Sequence, residues 1–328
     1  MRTRVLRALI FDAIGEPHDV LRLAEVPSPK IDHEEVLVKV RARPMHPSDF
    51  NYIRGHAPHR VYGTFPLIAG NEGVGEVLQA SAGARIPKGK RIAFLWPGSW
   101  AELTAVLSGH FFEVPDDIPD DIACQFSLNP VTAWGLLNQA SAASGDWVLL
   151  TAATSTVSNL VGSIGRTRDI HIIGIVRGDA KDGSARSTAE HVLSVNDPDL
   201  IGKITEITGE QRVSALLDSV GGPVLPRLFE TLATGGRVIS YWYQDGRPTV
   251  VTNQMLIFSN LTWRGFDVGL WFSGLPTSAV SALQNELWSM IRSGRIRLPV
   301  SSTHELVHFR DALTAAAQPS LTGKVLLI

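Results

Sequence analysis

Side chains able to do chemistry gather in a few short segments of this chain. His46, Asp49, Asn51 and Tyr52 stand within MHPSDFNYIRG (45–55), and Glu72 stands among three glycines in FPLIAGNEGVGEV (65–77). His46, Asp49, Asn51, Tyr52 and Tyr62 could all donate or accept hydrogen bonds in one cleft at a strand-to-loop junction, where rigid elements hold reactive groups. They could equally cap turns. His46, His56 and His59 with Asp49 imitate a metal site, but their spacing is irregular and no cysteine assists, so no metal is expected. A third segment, TAATSTVS (151–158), is rich in small and hydroxylated residues, and Arg177 follows it by about a helix and a strand.

The elements around that third segment give it a meaning. Trp147–Leu150 is an apolar strand, 151–158 a tight turn, 159–166 a helix, and 170–176 a second apolar strand ending at Arg177. Such a unit sets a helix N-terminus, with free N–H groups and a positive dipole, beyond the first strand. A dinucleotide pyrophosphate could approach the backbone there. The usual G-x-G-x-x-G is absent, with Thr156 and Ser158 where glycines are expected, so the strand–turn–helix context carries the reading. Asp or Glu at the end of the second strand would bind the ribose diol of NAD, whereas a guanidinium can pair with a 2′-phosphate. Arg177 therefore points to NADPH, with a solvated strand-end arginine as the plain alternative. Lys181 and Arg186 make the local field positive, and Asp179 and Asp182 partly offset it.

The chain has 328 residues, 44% of them hydrophobic, which is enough for two domains with substantial cores. A net charge of −2 gives no reason to expect a nucleic-acid partner, and the lone Cys124 excludes an internal disulfide or a thiolate zinc cluster. No apolar run reaches the roughly 18–20 residues needed to cross a bilayer. The start, MRTRVLRALIFDAIGEP, turns quickly into a strand pattern and lacks a secretory core, so a cytoplasmic protein is expected.

Short strands and glycine or proline turns up to about residue 124 read as a mostly β domain. From 125 to 269 strands and helices alternate, the pattern of a doubly wound parallel sheet. Residues 270–328 form a tail of two helices and two strands, expected to complete the first domain. NPVTAW (129–134) opens a helix, so Asn129 and Thr132 could contact the nicotinamide half of a cofactor. Tyr241, Trp242 and Tyr243 follow a strand at the sheet's carboxyl edge, and three consecutive aromatics cannot all face one core.

In order, HPSDFNYIRG (46–55), GNEGVG (70–75), NPVTAW (129–134), GGRVISY (235–241) and LIFSNLTWRGFDVGLW (256–271) follow one family pattern. The chain resembles zinc-free medium-chain dehydrogenases/reductases, nearest in motif to mitochondrial-type trans-2-enoyl thioester reductases and next to quinone oxidoreductases. The resemblance implies an α/β protein: a GroES-like, mostly β catalytic domain plus a Rossmann-type nucleotide domain. It also implies NADPH, and a homodimer joined through the edges of the nucleotide sheets. On this basis the cofactor contacts expected are Asn129, Thr132, Thr154, Ser155, Thr156, Val157, Arg177, Tyr241, Trp242, Phe266, Trp271 and Lys324.

One departure matters. Relatives of this kind carry a catalytic tyrosine two positions after the glycine that matches Gly55, where this chain has Ala57. Tyr62 is the first substitute, Tyr52 the second, and Asn51 a further polar contact. The activity implied first is NADPH-dependent reduction of the C=C bond of a trans-2-enoyl thioester of CoA or acyl carrier protein. The alternative is reduction of a quinone or a general enone, which tolerates the lost tyrosine. A catalytically silent NADPH-binding protein is the third reading.

Overall fold

Strand Glu35–Pro44 buries Val36, Val38, Val40 and Ala42 and turns Lys39 and Arg41 to solvent, the period of two of a half-buried strand. In the computed structural model, which describes residues 5–56, 63–318 and 322–328, this strand is the spine of the first of two units. It pairs antiparallel with Glu72–Ala80, with Leu103–Leu107 and, at its far end, with the C-terminal strand Lys324–Leu327. Both chain ends therefore build one unit, Met1–Leu128 with Arg297–Ile328. The sheet runs in the order Val300–His304, Lys324–Leu327, Glu35–Pro44, Glu72–Ala80, Arg91–Leu95, Phe111–Glu113. A three-stranded sheet carries Val5–Phe11 between Leu21–Pro27 and Leu67–Ile68. Leu9, Phe11, Met45, Ile53 and Trp100 close a core with Leu306, Phe309 and Leu327 from the tail. Burying each large apolar side chain contributes roughly 1.5–3 kcal/mol.

The second unit, Asn129–Ile296, is a six-stranded sheet in the order His191–Ser194, His171–Val176, Trp147–Leu150, Val213–Asp218, Leu232–Ser240, Thr262–Gly265. Every pairing is parallel. Its central strands are continuous apolar runs, as expected where both faces are covered. The order reverses between Trp147–Leu150 and Val213–Asp218, and that switch point is where an open α/β sheet takes its ligand. The GroES-like β domain and the Rossmann-type sheet expected from the sequence are both present.

The boundaries differ from those expected. The units divide at 128/129 and 296/297, not at 124/125 and 269/270. Helix Thr277–Arg292 lies in the nucleotide unit, where its Glu286 accepts a hydrogen bond from Trp134 Nε1 at 2.7 Å and is held by Arg168 at 3.1 Å. Pro130 falls in the first turn of helix Asn129–Ala140, as NPVTAW suggests, where no N–H is needed from it.

Candidate functional site

In the nucleotide unit, helix Thr156–Thr167 begins three residues earlier than the sequence suggests. Ser155 is its cap: the side-chain oxygen accepts the Ser158 N–H at 3.2 Å, which satisfies one of the helix's orphan donors. Thr156 and Val157 then form the first turn, whose N–H groups find no partner inside the helix. The turn before it contains no glycine, and Ala152 takes a left-handed conformation at φ 49°. Room comes from the neighbouring strand instead. A Cβ on Gly174 would sit 2.5 Å from Ala153 Cβ, so the glycine that the close approach demands lies on the second strand.

The walls of this turn are tied together by hydroxyls. Ser158 Oγ donates to the Thr151 carbonyl at 3.2 Å, accepts from Ser155 at 3.0 Å, and stands 3.5 Å from the Tyr241 hydroxyl. Burial pushes the Tyr241 phenol up. Thr151 donates to buried Asp218 at 2.8 Å and accepts the Ser219 N–H at 2.8 Å. Asp218 in turn accepts the N–H groups of Val220 and Gly221 at 3.1 and 3.0 Å, so the loop after its strand is fixed. Desolvation raises the Asp218 carboxyl, opposed by the Thr151 hydrogen bond. Arg177 follows strand His171–Val176, is exposed, and its guanidinium makes no ion pair among the described residues. Free helix donors, a hydroxyl-lined turn and an unpaired guanidinium fit a phosphorylated dinucleotide.

The catalytic unit holds a buried polar cluster. Pro47 opens helix Pro47–Ile53, and the Asp49 carboxylate reaches back to accept the His46 N–H at 2.9 Å. Its other oxygen accepts Asn71 Nδ2 at 2.7 Å. His46 Nε2 and Glu72 Oε2 are hydrogen-bonded at 2.6 Å, and Glu72 Oε1 accepts the Leu128 N–H at 2.6 Å. His46, Asp49 and Glu72 are all buried. Desolvation raises Glu72 to about 8, against the Leu128 hydrogen bond and the attraction of Lys324, and it drives His46 well below its ordinary value. Lys324 is itself lowered by burial, opposed by Glu72 and Asp49. Among the described residues no group of three or more His, Cys, Asp or Glu is arranged to hold a metal ion.

Profiles of known families match both units: an alcohol dehydrogenase GroES-like domain over residues 32–116 and a zinc-binding dehydrogenase over 188–327. The chain has the zinc-independent fold of the medium-chain dehydrogenases/reductases. It is 29% identical to the human mitochondrial enoyl-[acyl-carrier-protein] reductase, over 98% of this chain and 88% of that one. A Bacillus thuringiensis protein assigned as an NADPH:quinone reductase superposes with a TM-score of 0.89 at 25% identity, covering 99% of both chains. Escherichia coli quinone oxidoreductase in complex with NADPH superposes at 0.85 with 22% identity, over 98% of this chain and 99% of that one, a likeness of fold.

The site residues expected from the sequence fall into three groups. Thr154, Ser155, Thr156, Val157 and Tyr241 come together around the helix start, and Arg177 ends the adjacent strand. Phe266 and Trp271 pack on the opening helix instead: their rings lie 5.5 Å apart, Trp271 lies 5.9 Å from Trp134, and a Cβ on Gly135 would collide with both. Asn129 and Thr132 are buried on that same helix, and Trp242 stacks on Tyr243 at 4.9 Å. In the catalytic unit Tyr52 sets its ring edge-on against core residue Phe11 at 6.1 Å, Asn51 is partly exposed on the same helix, and Tyr62 lies outside the described residues. Lys324, expected at the cofactor, is an electrostatic partner of Glu72 and Asp49. Sequence reasoning missed the His46–Glu72 pairing. The one available signal was an ionisable residue placed between glycines in GNEGVG.

Proposed function

We propose that this chain is an NADPH-dependent reductase of a quinone or a conjugated enone. The observation that carries the reading is the capped helix and hydroxyl-lined turn at the switch point, with the unpaired Arg177 beside it. The first turn, Thr156 and Val157 with Thr154 and Ser155, would receive the pyrophosphate on backbone N–H groups. Arg177 would take the 2′-phosphate. NADPH, when bound, supplies the hydride; the protein orients it and keeps water out. The likeness to the Bacillus thuringiensis protein over nearly all of both chains supports the acceptor class. Ala57 supports it too, since a hydroquinone can take its proton without a tyrosine at that position.

Reduction of a trans-2-enoyl thioester is the second reading, favoured by the 29% identity to the human enoyl reductase across 98% of this chain. NADPH oxidation measured against a 1,4-quinone, a simple enone and crotonyl thioester separates the two. Turnover of the quinone and enone well above the thioester is expected. A reversed order puts the thioester first, and no turnover with NADPH still bound leaves the silent binding protein.

The same reading includes a homodimer. Strand Thr262–Gly265 is the outer strand of the nucleotide sheet and all four of its residues are exposed, with Ile257, Phe258 and Leu270 exposed close by in sequence. An unpaired sheet edge flanked by exposed apolar side chains is a template for a second chain.

A further inference from the structure

Tyr241, Trp242 and Tyr243 follow strand Leu232–Ser240 at the carboxyl edge of the parallel sheet, within the nucleotide unit. The first belongs to the cofactor turn, its hydroxyl 3.5 Å from Ser158 Oγ. The next two stack on each other, ring centroids 4.9 Å apart and planes 26° from parallel. Tyr243 is 48% exposed and Trp242 is partly exposed, so the pair presents aromatic surface to solvent. The loop that carries it is pinned. The N–H groups of Tyr241, Gln244 and Asp245 donate to the carbonyls of Asp218, Ser219 and Val220 at 2.8, 3.1 and 2.9 Å. The Asp245 carboxylate takes the Arg247 guanidinium through both oxygens. A Cβ on Gly222 would stand 2.7 Å from that carboxylate carbon, so glycine is what lets the two loops close. Since Asp218 is anchored on Thr151, one chain of contacts runs from the cofactor turn to the stacked rings.

We propose that Trp242 and Tyr243 form a stacking platform for a flat, ring-shaped acceptor, and so make the protein prefer quinones to open-chain enones. This rests on the reductase reading above and narrows its substrate class. A quinone ring is planar and electron-poor, and the negative faces of indole and phenol attract it. An open-chain enone has a much smaller planar area to lay on the same surface, and an acyl thioester has no ring at all. Hydrogen bonds from the loop backbone and from Asp245 set the position of the rings before any ligand arrives, which lowers the ordering cost of binding. Because Tyr241 and Trp242 are consecutive, the platform adjoins the turn that would receive NADPH, on the same edge of the same sheet. Trp242, expected from the sequence at the cofactor, takes the acceptor instead.

The test compares kcat/KM for 1,4-naphthoquinone and for methyl vinyl ketone at saturating NADPH, in wild type and in Trp242→Ala, Tyr243→Ala, Trp242→Phe and Tyr243→Phe. Calorimetric binding of 1,4-naphthoquinone to the full chain loaded with NADP+ gives a second readout that needs no turnover, and thermal unfolding serves as the folding control. Each alanine variant should lower the ratio of quinone to enone kcat/KM by about five- to tenfold, the range of an aromatic pair, and weaken quinone binding by a similar factor. The phenylalanine variants keep a ring and should retain most of both. A ratio and a quinone affinity that stay at wild-type values in the alanine variants would overturn the platform, as would equal losses on the two acceptors. The reductase reading survives either result as long as wild type turns the quinone over. A wild type that binds the quinone without reducing it would overturn that reading, while the binding measurements still decide the platform.

Discussion

Arg177 and Glu72 do opposite things with charge. Arg177 is exposed, so its worth depends on what binds it. A guanidinium paired with a 2′-phosphate is a charge-assisted contact, and Arg177→Ala should weaken NADPH binding by about 1.5–3 kcal/mol while NADH binding barely changes. Equal losses for both cofactors in a binding titration would remove the case for NADPH. Glu72 is buried, and its effect is on the fold itself. Its carboxyl is raised from 4.5 to about 8, so the folded state holds a proton that the unfolded chain has released. Stability from this group is fully present below pH 4.5 and is lost as pH rises to about 8. His46 has the opposite sign: lowered from 6.5, it contributes stability above that value and loses it as pH falls. Glu72→Gln should therefore gain in melting temperature relative to wild type between pH 5 and 8.5, and His46→Gln should do so toward pH 5. Parallel curves for wild type and Glu72→Gln would mean the carboxyl is not held protonated.

Elements position these residues, and they were not equally legible. Strand Trp147–Leu150 and the switch from β to alternating β and α could be read directly, because period and composition carry them. The start of helix Thr156–Thr167 could not, since a Ser cap competes with turn readings in a run of hydroxylated residues. Nor could the relief at Gly174, which lies on another strand from the turn it serves. Helix Asn129–Ala140 gives a test at this scale. Gly135 Cα faces Phe266 and Trp271, and an added Cβ would lie 2.7 Å from the first ring and 2.9 Å from the second. Alanine is favoured over glycine in a helix by about 1 kcal/mol, yet overpacking costs about 1–3 kcal/mol. Gly135→Ala should thus lose up to about 2 kcal/mol of stability in denaturant unfolding, and Phe266→Leu in the same chain should recover part of any loss. A stabilised Gly135→Ala would show that the two rings yield freely.

The whole molecule raises the question of what covers the outer edge of the nucleotide sheet. Thr262–Gly265 pairs only with Leu232–Ser240 among the described strands, leaving one side of its backbone unmatched. Phe258 is 80% exposed and Ile257 69%, just before the strand, and Leu270 is 79% exposed just after it. Single exposed apolar residues need no explanation, but three flanking one open strand form a surface that soluble monomers avoid. A second copy of the same edge would pair its backbone and bury these side chains together, the self-complementary contact of a twofold dimer. Sedimentation of the wild type should then give about twice the 35.6 kDa chain mass. Phe258→Asp places a charge in that contact without touching Ser155, Arg177 or Lys324, and should shift the protein to a single chain while NADPH still binds. Dilution of the wild type should likewise change the emission of Trp263, which is partly exposed on the strand itself. A wild type that sediments as one chain at micromolar concentration and above would mean that the apolar edge serves something other than a second copy.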